Sequence, residues 1–126
     1  MERIVINGGK CTVALQANGV VHVIWAPNAR IEAVDARAAR AAVNEVCDGT
    51  EHPILVDMAA TETVTREARA VLSLPSVASR LALLGSSPVD RVVANFFIGM
   101  HVPPCPTRFF TSRNEAISWL LQDDAP

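Results

Sequence analysis

"KCTVALQANGVVHVIW", Lys10 to Trp25, holds two strands and the turn between them. Cys11, Val13 and Leu15 alternate with Thr12, Ala14 and Gln16, the period of two expected of a half-buried strand. Ala17-Asn18-Gly19 supplies a tight turn, because Asn and Gly tolerate the left-handed backbone of a short hairpin loop. Val20 to Trp25 then runs back as the second strand. An opening hairpin of this kind is antiparallel, so any parallel strands that follow make the sheet mixed. Upstream, "RIVI" (3–6) adds a short lead-in pairing.

Downstream the pattern changes to alternating helices and strands. "APNARIEAV" reads as a connection turning at Pro27-Asn28. Asp35 is placed to cap "ARAARAAVNEVCDG", in which Ala39, Ala42, Val43 and Val46 fall on one helical face and Arg37, Arg40 and Asn44 on the other. The apolar face is mostly alanine, which allows close approach to a sheet. Gly49 is a natural stop. "PILVDM" is a short apolar run of the kind buried on both faces, ending at Asp57. "AATETV" reads as a threonine-rich loop, and Thr65 caps the helix "REARAVLSL". Pro75 ends that helix, with "SVASR" as one further turn.

"RLALLG" is a third buried-type strand. Ser87, Pro88 and Asp90 then open a helix as N-cap, N1 and N3. Val89, Val92, Val93, Phe96, Phe97 and Met100 share one face of it. "MHVPPCP" is stiffened by Pro103, Pro104 and Pro106. "TRFF" is a short strand, and Ser112 with Glu115 forms a capping box for the last helix, "NEAISWLLQ". The predicted order is β-β-α-β-α-β-α-β-α, a single α/β domain over residues 1–122 with a solvated tail at 123–126.

Composition bounds the role. The chain has 126 residues, half of them apolar, which suits one domain with a substantial core. It carries 11 Lys+Arg against 13 Asp+Glu, a net charge of −2, and Lys10 is its single lysine. Without a basic stripe to neutralise phosphates, nucleic acid is excluded as a partner. No apolar run approaches the ~20 residues that span a bilayer, and "MERIVINGGK" is not a signal peptide. A cytoplasmic location is expected. Cys11, Cys47 and Cys105 have no metal-ligand spacing and read as free thiols packed as small hydrophobes.

"EAVDARAARAAV", "PILVDM", "REARAVL", "SSPVDRVVANFFIG" and "PTRFFTSRNEAISWL" carry a resemblance over nearly the whole chain. They are similar to an actinobacterial family of short STAS-like proteins, whose fold is that of the bacterial anti-sigma-factor antagonists. The resemblance implies a mixed sheet begun by a hairpin and an uncertain activity, since that family has no established one. In the antagonists, the third strand ends in an acidic or amide residue, and an Asp-Ser-Ser-Gly with a phosphorylated serine opens the next helix. Here Asp57 takes the strand end. Thr65 is the hydroxyl in the matching region, Arg66 replaces the small residue after it, and Asp-Ser-Ser-Gly is absent. That departure argues against a phospho-switch.

Two regions stand out as candidate sites. Ligands of open α/β sheets gather beyond the C-terminal ends of parallel strands. Asp57, Thr61, Thr63, Thr65, Arg66 and Arg69 lie there, as a partner- or anion-binding loop; the bland alternative is that Thr65 caps the helix and the others bond loop backbone. The second region is an apolar surplus, Phe97, Ile98, Met100, His101, Val102, Pro103 and Pro104, more than one helix face buries. It predicts a homodimer surface, with ordinary core as the alternative. Gly85-Ser86-Ser87 lacks the residues of a phosphate loop or a nucleophile elbow and reads as a strand end and helix cap. Receiver-type phosphoacceptor chemistry at Asp57 would need acidic partners that the first strands, ending in Gln16 and Trp25, do not offer. His22, His52 and His101 are dispersed. No metal, cofactor or catalytic pair is expected. The sequence therefore predicts a non-catalytic regulatory or protein-interaction module; the alternative is a small-molecule or lipid-binding domain with an apolar pocket near Phe96–Pro104.

Overall fold

A computed structural model describes residues 3–58, 63–72, 78–85 and 106–122 of the chain. The opening hairpin forms as its residues dictate. Strand β2 (Cys11–Leu15) pairs antiparallel with β3 (Val21–Trp25), with Val13 opposite Val23. In the turn, the Gly19 N–H donates to the Gln16 carbonyl at 3.0 Å, and Gly19 takes φ 89°, where a Cβ would be strained. The Asn18 side chain accepts from the Val20 N–H at 3.0 Å. The lead-in is a full strand, β1 (Arg3–Ile6), paired antiparallel with β2.

From β3 onward the pairing is parallel. β5 (His52–Asp57), β7 (Ala78–Leu84) and β8 (Thr107–Phe110) complete a six-stranded mixed sheet of order β1-β2-β3-β5-β7-β8. Two short strands, β4 (Arg30–Ile31) and β6 (Thr63–Val64), pair parallel as a separate ribbon. Both segments read as loops in the sequence. Two residues are too few to show a period, and only the tertiary meeting of the two connections creates the pairing.

Among the described residues are three α-helices, α1 (Ala33–Cys47), α2 (Arg66–Leu72) and α3 (Arg113–Leu120), and a 3-10 turn at Asn7–Gly9. The lead-in pairing expected of 3–6 is present as β1, the expected order is corrected by β4 and β6, and the helix expected over Ser87–Met100 and the tail 123–126 lie outside the described residues. The start of α1 is also corrected. Its N-cap is Glu32, and Asp35, expected as the cap, stands one turn in and accepts the Glu32 N–H at 2.9 Å. At the other end, Asp48 takes the left-handed conformation with φ 49°, immediately before Gly49. "SVASR" is not a helical turn at its end: Ala78 and Arg80 belong to β7. Pairing of Ala78 with His52 decides this, together with the buried Arg80 side chain, which donates to the Trp119 carbonyl at 2.6 Å.

The sheet buries two cores. On one face, Cys11, Val13, Val21, Val23, Trp25 and Ile54 meet Ala36, Ala39, Ala42 and Val43 of α1 and Ala68 of α2. The alanines let α1 lie close to the strands, as the sequence pattern implied. On the other face, Val20, Leu55, Ala82, Leu84 and Phe110 meet Ala116 and Leu120 of α3. Leu55 is completely buried, worth about 2 kcal/mol of transfer free energy for that side chain alone. Lys10 fastens the hairpin to α1: its Nζ lies 2.7 Å from Asp35 Oδ2, and the Asp35 side chain is only 4% exposed.

Candidate functional site

Because β3, β5, β7 and β8 are parallel, their C-terminal ends share one edge of the sheet. Asp57 closes β5 there, in register with Ile24 of β3 and Leu84 of β7. The Met58 N–H donates to the Leu84 carbonyl and the Gly85 N–H to the Phe110 carbonyl, both at 2.9 Å, so the strand ends are held level. The chain leaves β8 at Phe110 and enters α3 almost at once. Ser112 is the N-cap, its hydroxyl accepting from the Glu115 N–H at 3.4 Å. This short connection sets Arg113, the first residue of α3, beside the end of β5. Its Nη2 donates to Asp57 Oδ2 at 2.7 Å. The Asp57 side chain is 15% exposed and that of Arg113 46%. A charged pair thus stands at the edge where α/β sheets present ligand sites, its carboxylate sheltered and its cation open to solvent.

His22 lies one pleat below on the same side of the sheet. It opposes Leu55 in register, as Ile24 opposes Asp57. Its Nε2 is buried and has no hydrogen-bond partner. Burial pushes the His22 pKa below its usual 6.5, the Arg113 cation pushes it the same way, and the Asp57 carboxylate opposes them. The imidazole is therefore neutral at pH 7.

Thr65 lies where β6 passes into α2. Its N–H donates to the Ile31 carbonyl at 3.0 Å, and its hydroxyl accepts from the Ala68 N–H at 3.1 Å. The hydroxyl is thus engaged as the helix cap, the bland reading of that residue. Arg66 and Glu67 follow as exposed residues of the first turn. Thr63 stands in β6 opposite Arg30, and Arg69 in the middle of α2. Thr61 lies outside the described residues. So do Phe97, Ile98, Met100, His101, Val102, Pro103 and Pro104, and with them the expected apolar surface and pocket.

Arg113 and His22 were missed by sequence reasoning. Arg113 is 56 residues from Asp57, and a cap followed by arginine looks like any helix start. The usable signal was topological: every connection after a parallel strand begins at the same edge, so the residues after "TRFF" belonged beside Asp57. His22 showed only its alternation with Val21 and Val23.

Among the described residues, no group of three His, Cys, Asp or Glu side chains is placed to hold a metal ion. Cys11 and Cys47 are buried free thiols; burial, with the Asp35 carboxylate second, pushes Cys11 up to about 12. His52 Nδ1 lies 3.0 Å from the Gly19 carbonyl, tying β5 to the hairpin loop. No helix among the described residues is long and apolar enough to cross a membrane.

Comparison with known proteins agrees with this architecture. An uncharacterized protein of the DUF3478 family from Shewanella loihica PV-4, described as having a SpoIIAA-like fold, superposes with a TM-score of 0.63 at 13% identity, over 87% of this chain and 91% of its own. The fold here is therefore SpoIIAA-like, a mixed α/β sheet with helices on both faces. A protein of unknown function from Arthrobacter sp. fb24 shares 53% identity over 86% of this chain and 90% of its own, with a TM-score of 0.36. None of the curated proteins matches. Residues 13–123 match a single family across both cores and the Asp57–Arg113 edge, and the chain belongs to that family, described as Domain of unknown function (DUF7793).

Proposed function

We propose that this protein is a non-catalytic regulatory module that binds a partner protein at the C-terminal edge of its parallel strands. The contact surface is formed by the Asp57–Arg113 pair, by the half-buried Thr65 that caps α2, and by the exposed Arg66 and Glu67 at its start. The observation that carries this reading is the 2.7 Å ion pair, with its arginine nearly half exposed at the sheet edge. An edge arginine of that kind presents a planar donor fork to an incoming carboxylate while its own partner keeps it oriented. The SpoIIAA-like fold supports a regulatory role, and the capped Thr65 supports recognition by shape and charge rather than by a reactive hydroxyl.

Two variants test the reading without disturbing the fold. Thr65→Asp keeps a good N-cap and adds a negative charge. Arg66→Glu reverses an exposed charge. Proteins captured on the tagged wild type are compared with those captured on each variant and on Glu45→Lys, a charge reversal at an exposed position of α1. A partner lost from both edge variants and kept by Glu45→Lys, with unchanged melting temperatures, supports the proposal. The same proteins recovered from all four refute it.

A further inference from the structure

The orphaned nitrogen of His22 calls for an explanation. A buried polar atom without a partner costs about 1–3 kcal/mol, and such atoms are rare. Its neighbours supply one. On one side β2 places Ala14 directly opposite and Thr12 two residues along, neither of which titrates. On the other, β5 places Leu55 directly opposite and Asp57 two residues further along the same face of the sheet. From α3 comes Arg113, which holds Asp57 Oδ2 at 2.7 Å. Among the described residues, Asp57 and Arg113 are the charged groups that act on His22. Two potential cations therefore flank one carboxylate.

We infer that His22 and Arg113 compete for Asp57, so that proton uptake by His22 releases Arg113 from the sheet edge. With His22 neutral, Arg113 holds Asp57 Oδ2. Adding a proton to the ring places a second cation beside the guanidinium, and the two repel. The His22 Nε2 is buried. The Arg113 side chain is 46% exposed and can turn to water. Asp57 then turns to the ring, and Arg113 swings free at the start of α3. Because burial and Arg113 both oppose the charged ring, the exchange falls below pH 6.5. It is a property of the isolated domain and does not rest on the proposed partner.

Two-dimensional NMR of the full chain between pH 7.5 and 5 tests it, with the His22 ring assigned by its loss in His22→Gln. The His22 midpoint is expected below 6.5, with the Arg113 Nε–H signal and the Asp57 carboxyl carbon moving at the same midpoint. His22→Gln is expected to abolish that shared transition. Arg113→Gln is expected to raise the His22 midpoint, and Arg113→Lys, which keeps the cation, to leave it near the wild-type value. A midpoint at or above 6.5 overturns the inference. So does an Arg113 signal that keeps its transition in His22→Gln, or one that does not follow His22 in the wild type. If His22→Gln fails to fold, the Arg113→Gln and Arg113→Lys pair decides: equal midpoints in both would overturn it.

Discussion

Replacing Lys10 with methionine removes the cation facing a buried carboxylate while keeping most of the apolar stem. Asp35 Oδ2 receives Lys10 Nζ at 2.7 Å and the Glu32 N–H at 2.9 Å, and the Asp35 side chain is 4% exposed. Stranding a buried charge by removing its partner costs about 3–5 kcal/mol. Lys10 itself is 29% exposed, so water reaches the vacated position and the backbone donor remains. The expected loss is therefore nearer 2–3 kcal/mol, a sizeable fraction of the roughly 5–15 kcal/mol that holds a domain folded. For a domain of this size that is a fall in melting temperature of about 10 °C. Urea titration followed by circular dichroism measures it, with the slope unchanged if the native state is intact. The double variant Lys10→Met with Asp35→Leu is expected to recover part of the loss, since an apolar pair has no charge to strand. It should still fall short by about 1 kcal/mol, because the Glu32 N–H loses its side-chain acceptor. A Lys10→Met protein within 0.5 kcal/mol of wild type would refute the reasoning and reduce the pair to a surface contact.

Three other outcomes follow from the same structure. Thr65→Ala should cost about 1 kcal/mol through loss of the bond to the Ala68 N–H, and Thr65→Ser should restore most of it; equal melting temperatures for all three would show that the hydroxyl does not cap α2. Cys11, pushed up to about 12 and buried, should resist thiol reagents at pH 8 in the native protein and react once unfolded in guanidinium, as read by peptide mass mapping; native labelling at the unfolded rate would contradict its placement. His22 binds its proton more weakly folded than unfolded, so stability is full above pH 6.5 and falls as pH drops toward and through the lowered folded value. Urea midpoints at pH 7.5 and 5.5 should therefore differ more for wild type than for His22→Gln, and equal differences would remove His22 from the linkage.

What the sequence made legible was periodic and local. The Lys10–Trp25 hairpin announced itself because alternation and Asn18-Gly19 agree on one structure, and the alanine face of α1 because its spacing is helical. What it concealed was tertiary. Ala78 to Arg80 join β7 through pairing with a strand more than twenty residues away, which overrides a local tendency to turn. Asp35 serves as the third residue of α1 because Glu32, a weaker cap by preference, sits where the β4–β6 ribbon releases the chain. At the candidate site the sequence located Asp57 by strand-end logic, yet its partner Arg113 depends on how β8 lies beside β7. No spacing rule joins residues that meet only through sheet order.

The central claim is that the Asp57–Arg113 edge, with the start of α2, is where a partner binds. A photo-crosslinking residue placed at position 66, and in a separate protein at position 45 on α1, reads this directly in cells that make the protein. A discrete crosslinked species is expected from position 66, absent from position 45 and lost when Arg113→Glu is added. Crosslinking of the same species at both positions, or its persistence with Arg113→Glu, would contradict it.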